Sequence, residues 1–398
     1  MTNLPQGWEV KKLEEIANIK GGKRLPKGEN LLDNNTKFAY IRVADFQDNG
    51  TINLQNIKFI NENTYNVLKN YKIYDDNLYI SIAGTIGKIG IIPKELNGAI
   101  LTENAVKLEY IQNNISNKFM YFFTLSNIFK TQIQTSTKIV AQPKLAITRL
   151  KQIQIPLPPL KEQERIVGIL DESFAKIDES IKILEQDLLN LDELMQSALQ
   201  KAFNPLKDNA KENYKLPQSW EWKSLEEISE NISAGGDKPK NCTESKTAKN
   251  QIPVYANGVN NNGLVGYTDK ATIIKPSLTI SARGTIGFVC IRKEPYFPIV
   301  RLISLIPCEN ILCLHYLYFC LNFFIAKGEG SSIPQLTIPK FKSLQIPLPP
   351  LKEQEQIAEH LDFVFEKAKA LKELYTKELK DYEELKQSLL DKAFKGEL

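Results

Sequence analysis

Two loops rich in glycine, lysine and asparagine carry the residue types with the clearest chemical potential in this sequence. They are GGKRLPKGENLLDNN at 21–35 and GGDKPKNCTESKTAKN at 235–250. Lysine and arginine bind phosphate oxygens, and together with asparagine they pair with base edges, so both loops fit contact with a nucleic acid. The alternative is an ordinary solubilising surface charge. Both interpretations stay open for the basic residues of these loops and of other polar turns: Lys23, Arg24, Lys27, Lys88, Lys138, Lys238, Lys240, Lys246 and Arg283.

The common catalytic patterns are missing from the sequence. It contains no GxxxxGK[ST] phosphate loop, no GxGxxG after a strand pattern and no HExxH. The five cysteines all lie in the second half and form no CxxC pair, which argues against disulfides and a structural zinc site. Paired glutamates in two LEEI segments are typical of a short solvent-facing helix. We therefore predict no catalytic activity, no metal and no cofactor in this chain.

Composition indicates an ordinary globular protein. The 398 residues are 42% hydrophobic and 25% charged, which suits two or three domains. A net charge of +4 is mildly basic and neither requires nor excludes a nucleic-acid partner. The sequence has no apolar run of about 18 residues, and its first residues, MTNLPQGWEVKK, contain no apolar signal core. We expect a cytoplasmic protein.

An eleven-residue stretch, QIPLPPLKEQE, occurs twice without change, at 154–164 and 345–355. Its prolines forbid helix upstream, and a long helical pattern opens at Leu160 and again at Leu351. Both patterns end after the tripeptide KAF, at Phe203 and Phe394. At about 1.5 Å per residue, each predicted helix is roughly 65 Å long, which is the scale of a spacer.

Each predicted helix carries a 4/3 alternation of apolar residues, the pattern of a coiled-coil seam. We expect the two helices to pack on each other as an antiparallel coiled coil. The predicted seams are Ile166, Leu170, Phe174, Ile177, Ile181, Leu184, Leu188, Leu191, Met195 and Ala198 in the first helix, and Ile357, Leu361, Val364, Ala368, Leu371, Tyr375, Leu379, Tyr382, Leu385 and Leu389 in the second.

The globular parts also repeat. LPQGWEVKKLEEI at 4–16 returns as LPQSWEWKSLEEI at 216–228, and ISIAGTIG at 80–87 returns as ISARGTIG at 280–287. The glycines of GTIG permit a tight turn, needed either for packing or for close approach to a phosphate. Because the offset falls from 212 to 191 residues along the chain, the second copy has about 21 fewer residues in its middle.

Short apolar runs between these anchors predict strands, and two longer runs predict helices, so the fold class is mixed α/β (α+β) with two similar domains. The predicted strands are 38–46, 77–84, 105–111, 278–284 and 300–306, and the predicted helices are 117–133 and 312–327.

The order of globular domain, PLPPLxEQxxI helix, globular domain and PLPPLxEQxxI helix closely resembles the specificity subunits of type I restriction-modification systems. The resemblance covers nearly the whole chain, including WE near each domain start and GTIG inside each domain. It implies two target recognition domains, 1–159 and 216–350, two conserved helical regions, 160–203 and 351–398, and a linker at 204–215.

The resemblance also implies the partners. Each recognition domain would read one half of a bipartite, asymmetric site in double-stranded DNA. The helices would fix the gap between the halves and dock two methyltransferase subunits, which use S-adenosylmethionine. Restriction/translocase subunits would use ATP and Mg²⁺. The positions that match the family motif, and that we link to helix pairing and subunit docking, are Leu160, Glu162, Gln163, Ile166, Leu351, Glu353, Gln354 and Ile357.

Two other functions remain open from sequence alone. The chain could be a protein-interaction scaffold with two binding heads, or a self-sufficient enzyme. Enrichment of a split DNA motif would distinguish the first hypothesis from the scaffold. A four-residue insertion in both helices, near Leu184 and Tyr375, should lengthen the gap in the recognised sequence if the helices act as a spacer.

Overall fold

The protein forms two compact units, and each long helix contributes to both. The structure, a computed structural model, describes residues 4–136, 145–203, 217–325 and 336–398. Unit 1 consists of Met1–Leu184 and Lys377–Leu398, and unit 2 of Glu185–Thr376. The predicted interdomain linker and Lys138 lie outside the described residues.

Within its described residues, unit 1 contains ten strands, and six α-helices begin in it. The strands are β1 (Glu9–Lys12), β2 (Ala17–Gly21), β3 (Ala39–Ile41), β4 (Lys58–Phe59), β5 (Lys72–Ile73), β6 (Leu78–Ser81), β7 (Ile89–Ile91), β8 (Ala99–Leu101), β9 (Ala105–Tyr110) and β10 (Gln154–Leu157). The helices that begin in this unit are α1 (Leu13–Ile16), α2 (Glu62–Val67), α3 (Asn117–Leu125), α4 (Asn127–Ser136), α5 (Ile147–Lys151) and α6 (Leu160–Phe203).

Three sheets organise unit 1. The main sheet is antiparallel with the order β2-β9-β6-β7, and a mixed sheet has the order β4-β3-β8-β5, with β3 parallel to β8. Strands β1 and β10 form an antiparallel pair that joins the start of the unit to the proline run before α6. Helix α3 covers the main sheet and buries Phe119, Met120 and Phe123 in the largest core of the unit.

Unit 2 repeats this arrangement. Its strands are β11 (Glu221–Ser224), β12 (Ser229–Ala234), β13 (Ile252–Tyr255), β14 (Leu264–Thr268), β15 (Ser277–Ile280), β16 (Val289–Arg292), β17 (Phe297–Pro298), β18 (Ile303–Pro307) and β19 (Gln345–Leu348). The helices that begin in it are α7 (Leu225–Ile228), α8 (Leu314–Phe324), α9 (Ile338–Lys342) and α10 (Leu351–Lys395).

The two units share one topology, which confirms the predicted mixed α/β fold with an internal repeat. The main sheet of unit 2 has the order β12-β18-β15-β16, its second sheet pairs β13 in parallel with β17, and β11 pairs with β19. Unit 1 has α2 and β5 where the described residues of unit 2 have no counterpart. This difference lies in the middle of the repeat, where the falling sequence offset predicts a shorter second copy.

The long helices begin where the proline run ends. The carbonyl of Pro159 accepts hydrogen bonds from the amides of Glu162 and Gln163, and the carbonyl of Pro350 accepts the equivalent pair. Helix α6 is described as far as Phe203, the last residue before a range outside the described residues, and α10 ends at Lys395, one residue beyond the prediction. Within the described residues, no helix combines the length and the apolar character needed to cross a membrane.

Within each unit the long helices pair in opposite directions. In unit 1, Arg165 donates to the carbonyl of Leu398, while Asp178, further along α6, bonds Lys386, which lies earlier in α10. In unit 2, Asp192 bonds Lys372, while Ala198 and Ala202, further along α6, line one groove with Glu353 and Ile357, which lie earlier in α10.

The predicted seam is largely correct for α6 and is wrong at two positions of α10. Leu371 and Leu385 are 38% and 46% exposed. The lysines that follow them, Lys372 and Lys386, turn toward α6 instead and form the two interhelical ion pairs. In a helix with 3.6 residues per turn, two consecutive residues point about 100° apart, so only one of them faces the partner helix. At both places the lysine, rather than the leucine before it, faces α6.

Three other predictions from the sequence need correction. The strand predicted at 38–46 ends at Ile41, because Val43–Asp45 form a 3-10 helix in which the Asp45 carboxylate accepts a hydrogen bond from the amide of Arg42. The single helix predicted at 117–133 is two helices, because Ser126 has an extended backbone, and its hydroxyl accepts a hydrogen bond from the amide of Phe129 and donates one to the carbonyl of Phe123. The strand predicted at 300–306 begins only at Ile303, because Val300 and Arg301 have positive φ values of 53° and 59°. Backbone with positive φ cannot continue a strand.

Candidate nucleic-acid interface

In unit 1, three loops meet beside the main sheet and form what we call loop cluster 1: residues 22–24, 83–88 and 102–104. The amide of Lys23 donates to the carbonyl of Leu101, and the amides of Ile82 and Ala83 donate to the carbonyl of Asn104. A Cβ atom at Gly22 would overlap the backbone of Leu101 and Thr102. This close approach gives a physical reason for the glycine at the start of the basic loop.

The charges of loop cluster 1 are mixed. Arg24 is exposed and donates from Nε to Oε1 of Glu103 at 2.7 Å. Burial alone would raise the pKa of Glu103, but hydrogen bonds from Arg24 and Thr102 outweigh it and hold the pKa below its usual value. Lys23 is also exposed and lies over the ring of Tyr71. The cluster therefore presents both donors and a carboxylate acceptor.

Two further residues that the sequence suggests as nucleic-acid contacts, Lys88 and Lys27, differ in their surroundings. Lys88 donates to the carbonyl of Phe46 at 3.1 Å and forms an ion pair with Asp48 at 3.0 Å, with 28% of its side chain exposed. Its ammonium group therefore links two parts of unit 1. Lys27 lies on the exposed part of its loop.

The GTIG segment forms the same turn in both units. Gly84, Gly87, Gly284 and Gly287 have φ values between 67° and 88°, which only glycine adopts without strain. A Cβ atom at Gly84, Gly87 or Gly284 would meet no protein atom within 4 Å. The predicted tight turn is confirmed, but side-chain packing is not the reason for those three glycines. The turn leaves open space above its backbone.

In unit 2, four loops meet at the equivalent place and form loop cluster 2: residues 235–236, 257–262, 281–287 and 300–301. Asn257 joins three of them, because its Oδ1 accepts from the amide of Ala282 at 2.8 Å and its Nδ2 donates to the carbonyl of Val300 at 2.6 Å. The amides of Val300 and Arg301 donate to the carbonyls of Gly236 and Gly235.

Two consecutive strained residues project from loop cluster 2. Val300 and Arg301 both have left-handed backbone conformations, although valine is branched at Cβ and disfavours them. Such strain costs about 1–3 kcal/mol per residue and persists only where surrounding contacts enforce it. Here the backbone hydrogen bonds to the two glycines and the Asn257 amide enforce it. Val300 is 52% exposed and Arg301 is exposed beside it.

A buried guanidinium supports the asparagine loop of cluster 2. Arg292 is 9% exposed, stacks 3.5 Å from the centre of the Tyr255 ring and donates to the hydroxyl of Thr279 and the carbonyl of Asn262. Among the described residues, no carboxylate forms an ion pair with it. Its positive charge therefore adds to the potential of the surface above it.

A groove of about 600 Å³ lies beside the asparagine loop, and one of the predicted DNA-contacting residues is in its lining. Lys246, Asn261 and Tyr267 line it, and the Lys246 ammonium lies over the Tyr267 ring. Lys238 and Lys240 are exposed in the preceding loop, and Arg283 is exposed in the GTIG turn. Sequence reasoning thus selected Arg283 and Lys246 but missed Asn257, Arg292 and Arg301. The asparagine-rich stretch at 255–263 was the available signal for Asn257.

The eight motif positions lie at the starts of the two long helices. Gln163, Gln354 and Ile166 are almost fully buried within their own units, so their surfaces are closed to a partner. Leu160, Glu162, Leu351, Glu353 and Ile357 are partly exposed. Glu162 pairs with Arg165, which lowers the pKa of Glu162, and Glu353 accepts a hydrogen bond from Nε1 of Trp220. A groove of about 370 Å³ in unit 2 includes Glu353 and Ile357 in its lining.

Within the parts of the chain that the structure describes, no cluster of His, Cys, Asp and Glu is arranged to hold a metal ion. His315 bonds Asp362 at 2.7 Å. All five cysteines are free thiols.

The fold is that of a duplicated, sheet-rich protein. Each repeat contains a cluster of polar loops and is followed in the chain by a long helix. The family model for the type I restriction modification DNA specificity domain matches the chain twice, at residues 5–188 and 217–380. These matches cover most of the chain and follow its internal repeat. The chain therefore belongs to the family of type I restriction-modification specificity subunits.

Individual relatives agree with the family match. A protein of Mycoplasma pneumoniae named as a candidate type I specificity subunit is 29% identical over 357 residues, covering 88% of this chain and 87% of that protein. The EcoBI specificity subunit of Escherichia coli is 30% identical over 205 residues, covering 50% of this chain and 42% of that protein.

Solved structures share the fold. A chain from a structure on assembly and conformational transition of the type I R-M system has a TM-score of 0.82 at 20% identity, covering 100% of both chains. The HsdS subunit from Thermoanaerobacter tengcongensis has a TM-score of 0.63 at 21% identity, covering 100% of this chain and 98% of that one.

Proposed function

We propose that this chain is a non-catalytic DNA-sequence reader in which each unit recognises one half of a bipartite, asymmetric site. The observation that carries the proposal is one topology repeated twice with loop clusters of different chemistry. A repeated scaffold offers the same kind of surface to DNA twice, while different loops offer different donors and acceptors to the bases. The two half-sites should therefore differ in sequence.

Loop clusters 1 and 2 are the proposed DNA-contacting surfaces. Cluster 2 offers Arg301, with the buried charge of Arg292 beneath its asparagine loop. Arg283 lies in its GTIG turn. Cluster 1 offers Lys23 and Arg24, but Glu103 offsets part of their charge and can accept a hydrogen bond from a cytosine amino group. Guanine-directed contacts are thus better supported in unit 2. The open backbone above the GTIG turns leaves room for a phosphate in both units.

We further propose that α6 and α10 set the unspecified gap between the half-sites. Support comes from their length, 44 and 45 residues without interruption, and from the opposed pairing of the two helices inside each unit. The sequence-based boundaries, 1–159 and 216–350 for recognition and 160–203 and 351–398 for the helical regions, belong to this proposal. A four-residue insertion in both helices would add roughly 6 Å, or about two base pairs of duplex.

The proposed partners are double-stranded DNA, two methyltransferase subunits and restriction/translocase subunits. Partly exposed motif residues beside the 370 Å³ groove of unit 2 support a docking role at the helix starts. S-adenosylmethionine, ATP and Mg²⁺ would be used by the partner subunits, so this chain would supply position and sequence selection.

The test is selection from random duplexes by this chain assembled with its methyltransferase subunits. Sequencing of the bound DNA should give two different short motifs at one fixed separation. Bound DNA without such a split motif would refute the proposal and favour a protein-interaction scaffold. The isolated chain, supplied with S-adenosylmethionine, ATP and Mg²⁺, should neither methylate nor cleave DNA.

A further inference from the structure

One buried side chain in each unit makes the same set of hydrogen bonds. Gln163 is 1% exposed: its Oε1 accepts from the amide of Ser116 at 2.9 Å, and its Nε2 donates to the carbonyls of Pro158 and Asn114 at 2.8 and 3.1 Å. All three groups that it contacts belong to the backbone.

Gln354 repeats this arrangement in unit 2. It is 0% exposed, its Oε1 accepts from the amide of Cys313 at 2.9 Å, and its Nε2 donates to the carbonyls of Pro349 and Ile311 at 2.8 and 2.9 Å. A primary amide has two N–H donors and an oxygen acceptor, and all three are hydrogen-bonded in each glutamine.

These bonds connect three parts of each unit at one point. Ser116 and Cys313 are the N-cap residues of α3 and α8, the helices that cover the main sheets. Pro158 and Pro349 belong to the proline run, and the glutamines lie in the first turns of α6 and α10. The amide therefore ties the globular part of each unit to the start of its long helix.

A second link lies at the same place in both units. Lys118 bonds Asp171 at 2.6 Å in unit 1, and His315 bonds Asp362 at 2.7 Å in unit 2. Each basic residue lies two positions after its N-cap, and each aspartate lies eight positions after its glutamine. The basic residue differs between the units, lysine in one and histidine in the other, whereas the glutamine does not. Two links along one helix resist rotation of the helix better than a single one.

We propose that Gln163 and Gln354 are positioning residues that fix the direction in which each long helix leaves its unit, and thereby the gap length that the protein accepts between half-sites. Because each amide contacts only backbone atoms, it can hold globular parts whose side chains differ, as they do here. Bending the connection between the globular part and the long helix would break the hydrogen bonds of the glutamine and leave buried polar groups unpaired. Because unpaired buried polar groups are costly, this connection resists bending. This inference rests on the proposed recognition of a bipartite site.

The test uses Gln354→Met, which keeps the length of the side chain and removes its polar atoms, and Gln354→Glu, which keeps an acceptor and removes both donors. The matched control is Ile280→Val, a fully buried change in the main sheet of unit 2 that leaves the joint intact. Each variant is assembled with the methyltransferase subunits. Its binding is measured on the selected DNA site and on sites whose gap is one base pair longer or shorter.

We expect the wild-type complex and Ile280→Val to discriminate equally between gap lengths, and Gln354→Met to lose about tenfold of this discrimination while keeping the sequence preference of each half-site. If Gln354→Met does not fold, Gln354→Glu and Gln163→Met give the same comparison. Unchanged discrimination in the glutamine variants, or an equal loss in Ile280→Val, would overturn the positioning role and leave the proposed function standing. A wild-type complex that selects no split motif would overturn both.

Discussion

Phe394 is the residue whose replacement most directly tests how each unit is assembled. It lies near the end of α10, yet it is 1% exposed in the core of unit 1, with its ring centre 5.1 Å from that of Phe119 and 5.4 Å from that of Phe123. Phe203, at the end of α6, fills the equivalent place in unit 2, 5.5 Å from Tyr316. The core of each unit is thus completed by the end of a helix that begins in the other.

The size of the effect follows from the burial. Replacement of a fully buried phenylalanine by alanine costs about 3–5 kcal/mol, since it removes apolar contacts and leaves a cavity. With a urea slope of about 2 kcal/mol per molar, Phe394→Ala should lower the unfolding midpoint of unit 1 by about 2 M. The free energy of unfolding of unit 2 should change by less than about 0.5 kcal/mol.

Tryptophan fluorescence can follow the units separately. Trp8 packs against the core of unit 1, and Trp220 is 7% exposed in unit 2. One reporter protein keeps only Trp8 and the other only Trp220, with phenylalanine at the remaining tryptophan positions. Phe363→Ala is the control, because Phe363 lies on the same helix but is 61% exposed.

Phe203→Ala should have the opposite selectivity, lowering the Trp220 transition and sparing the Trp8 transition. Phe394 does not complete the core of unit 1 if Phe394→Ala leaves the Trp8 transition in place, and it does not act on that core alone if both transitions shift equally. An equally large shift of the unfolding midpoint in Phe363→Ala would also contradict the role assigned to Phe394, because exposed substitutions usually change stability by no more than about 0.5 kcal/mol.

Three further predictions concern single sites. Arg301→Ala should weaken binding to the selected DNA about tenfold in a fluorescence anisotropy titration. Arg24→Ala should weaken binding less, because Glu103 already offsets the charge of Arg24, and the reverse order would contradict the assignment of loop cluster 2. Lys372→Asp should destabilise unit 2 by about 0.2–1 kcal/mol in urea, and the exchanged pair Lys372→Asp with Asp192→Lys should recover most of this, whereas additive losses would exclude a direct interaction. Burial raises the pKa of the Cys320 thiol, so less thiolate forms at a given pH, and Cys320 should be the last of the five cysteines to react when the native protein is alkylated and analysed by mass spectrometry. Early modification of Cys320 would contradict its burial.

Much of the architecture could be predicted from the sequence because its signals are local. The proline run sets the starts of α6 and α10, and the apolar period persists over their whole length. The exact repetition of QIPLPPLKEQE predicts two copies of one unit, which the shared strand order confirms. The strand predictions around 78–81 and 105–110 are correct, and all four residues of β6 and the first four of β9 are buried, as expected for short apolar runs in strands covered on both faces.

The candidate interface could be predicted only in part. Basic loop residues such as Arg24 and Arg283 stand out by type, but their surroundings do not. The pairing of Arg24 with Glu103, and of Lys88 with Asp48, joins residues far apart in the chain. Val300 and Arg301 belong to an apolar pattern that predicts a strand, and only their contacts with the glycines of another loop reveal their left-handed backbone.

By itself, the sequence determined that the protein has two similar mixed α/β units and two long helices, because helix period, proline positions and repetition are properties of neighbouring residues. Tertiary structure alone decided that Lys372 and Lys386, rather than the leucines before them, face α6, and that Gln163 and Gln354 are buried ties to distant backbone. The physical reason is that a side chain's role in a fold depends on which unpaired donor, acceptor or charge it meets, and those partners are brought close only when the chain has folded.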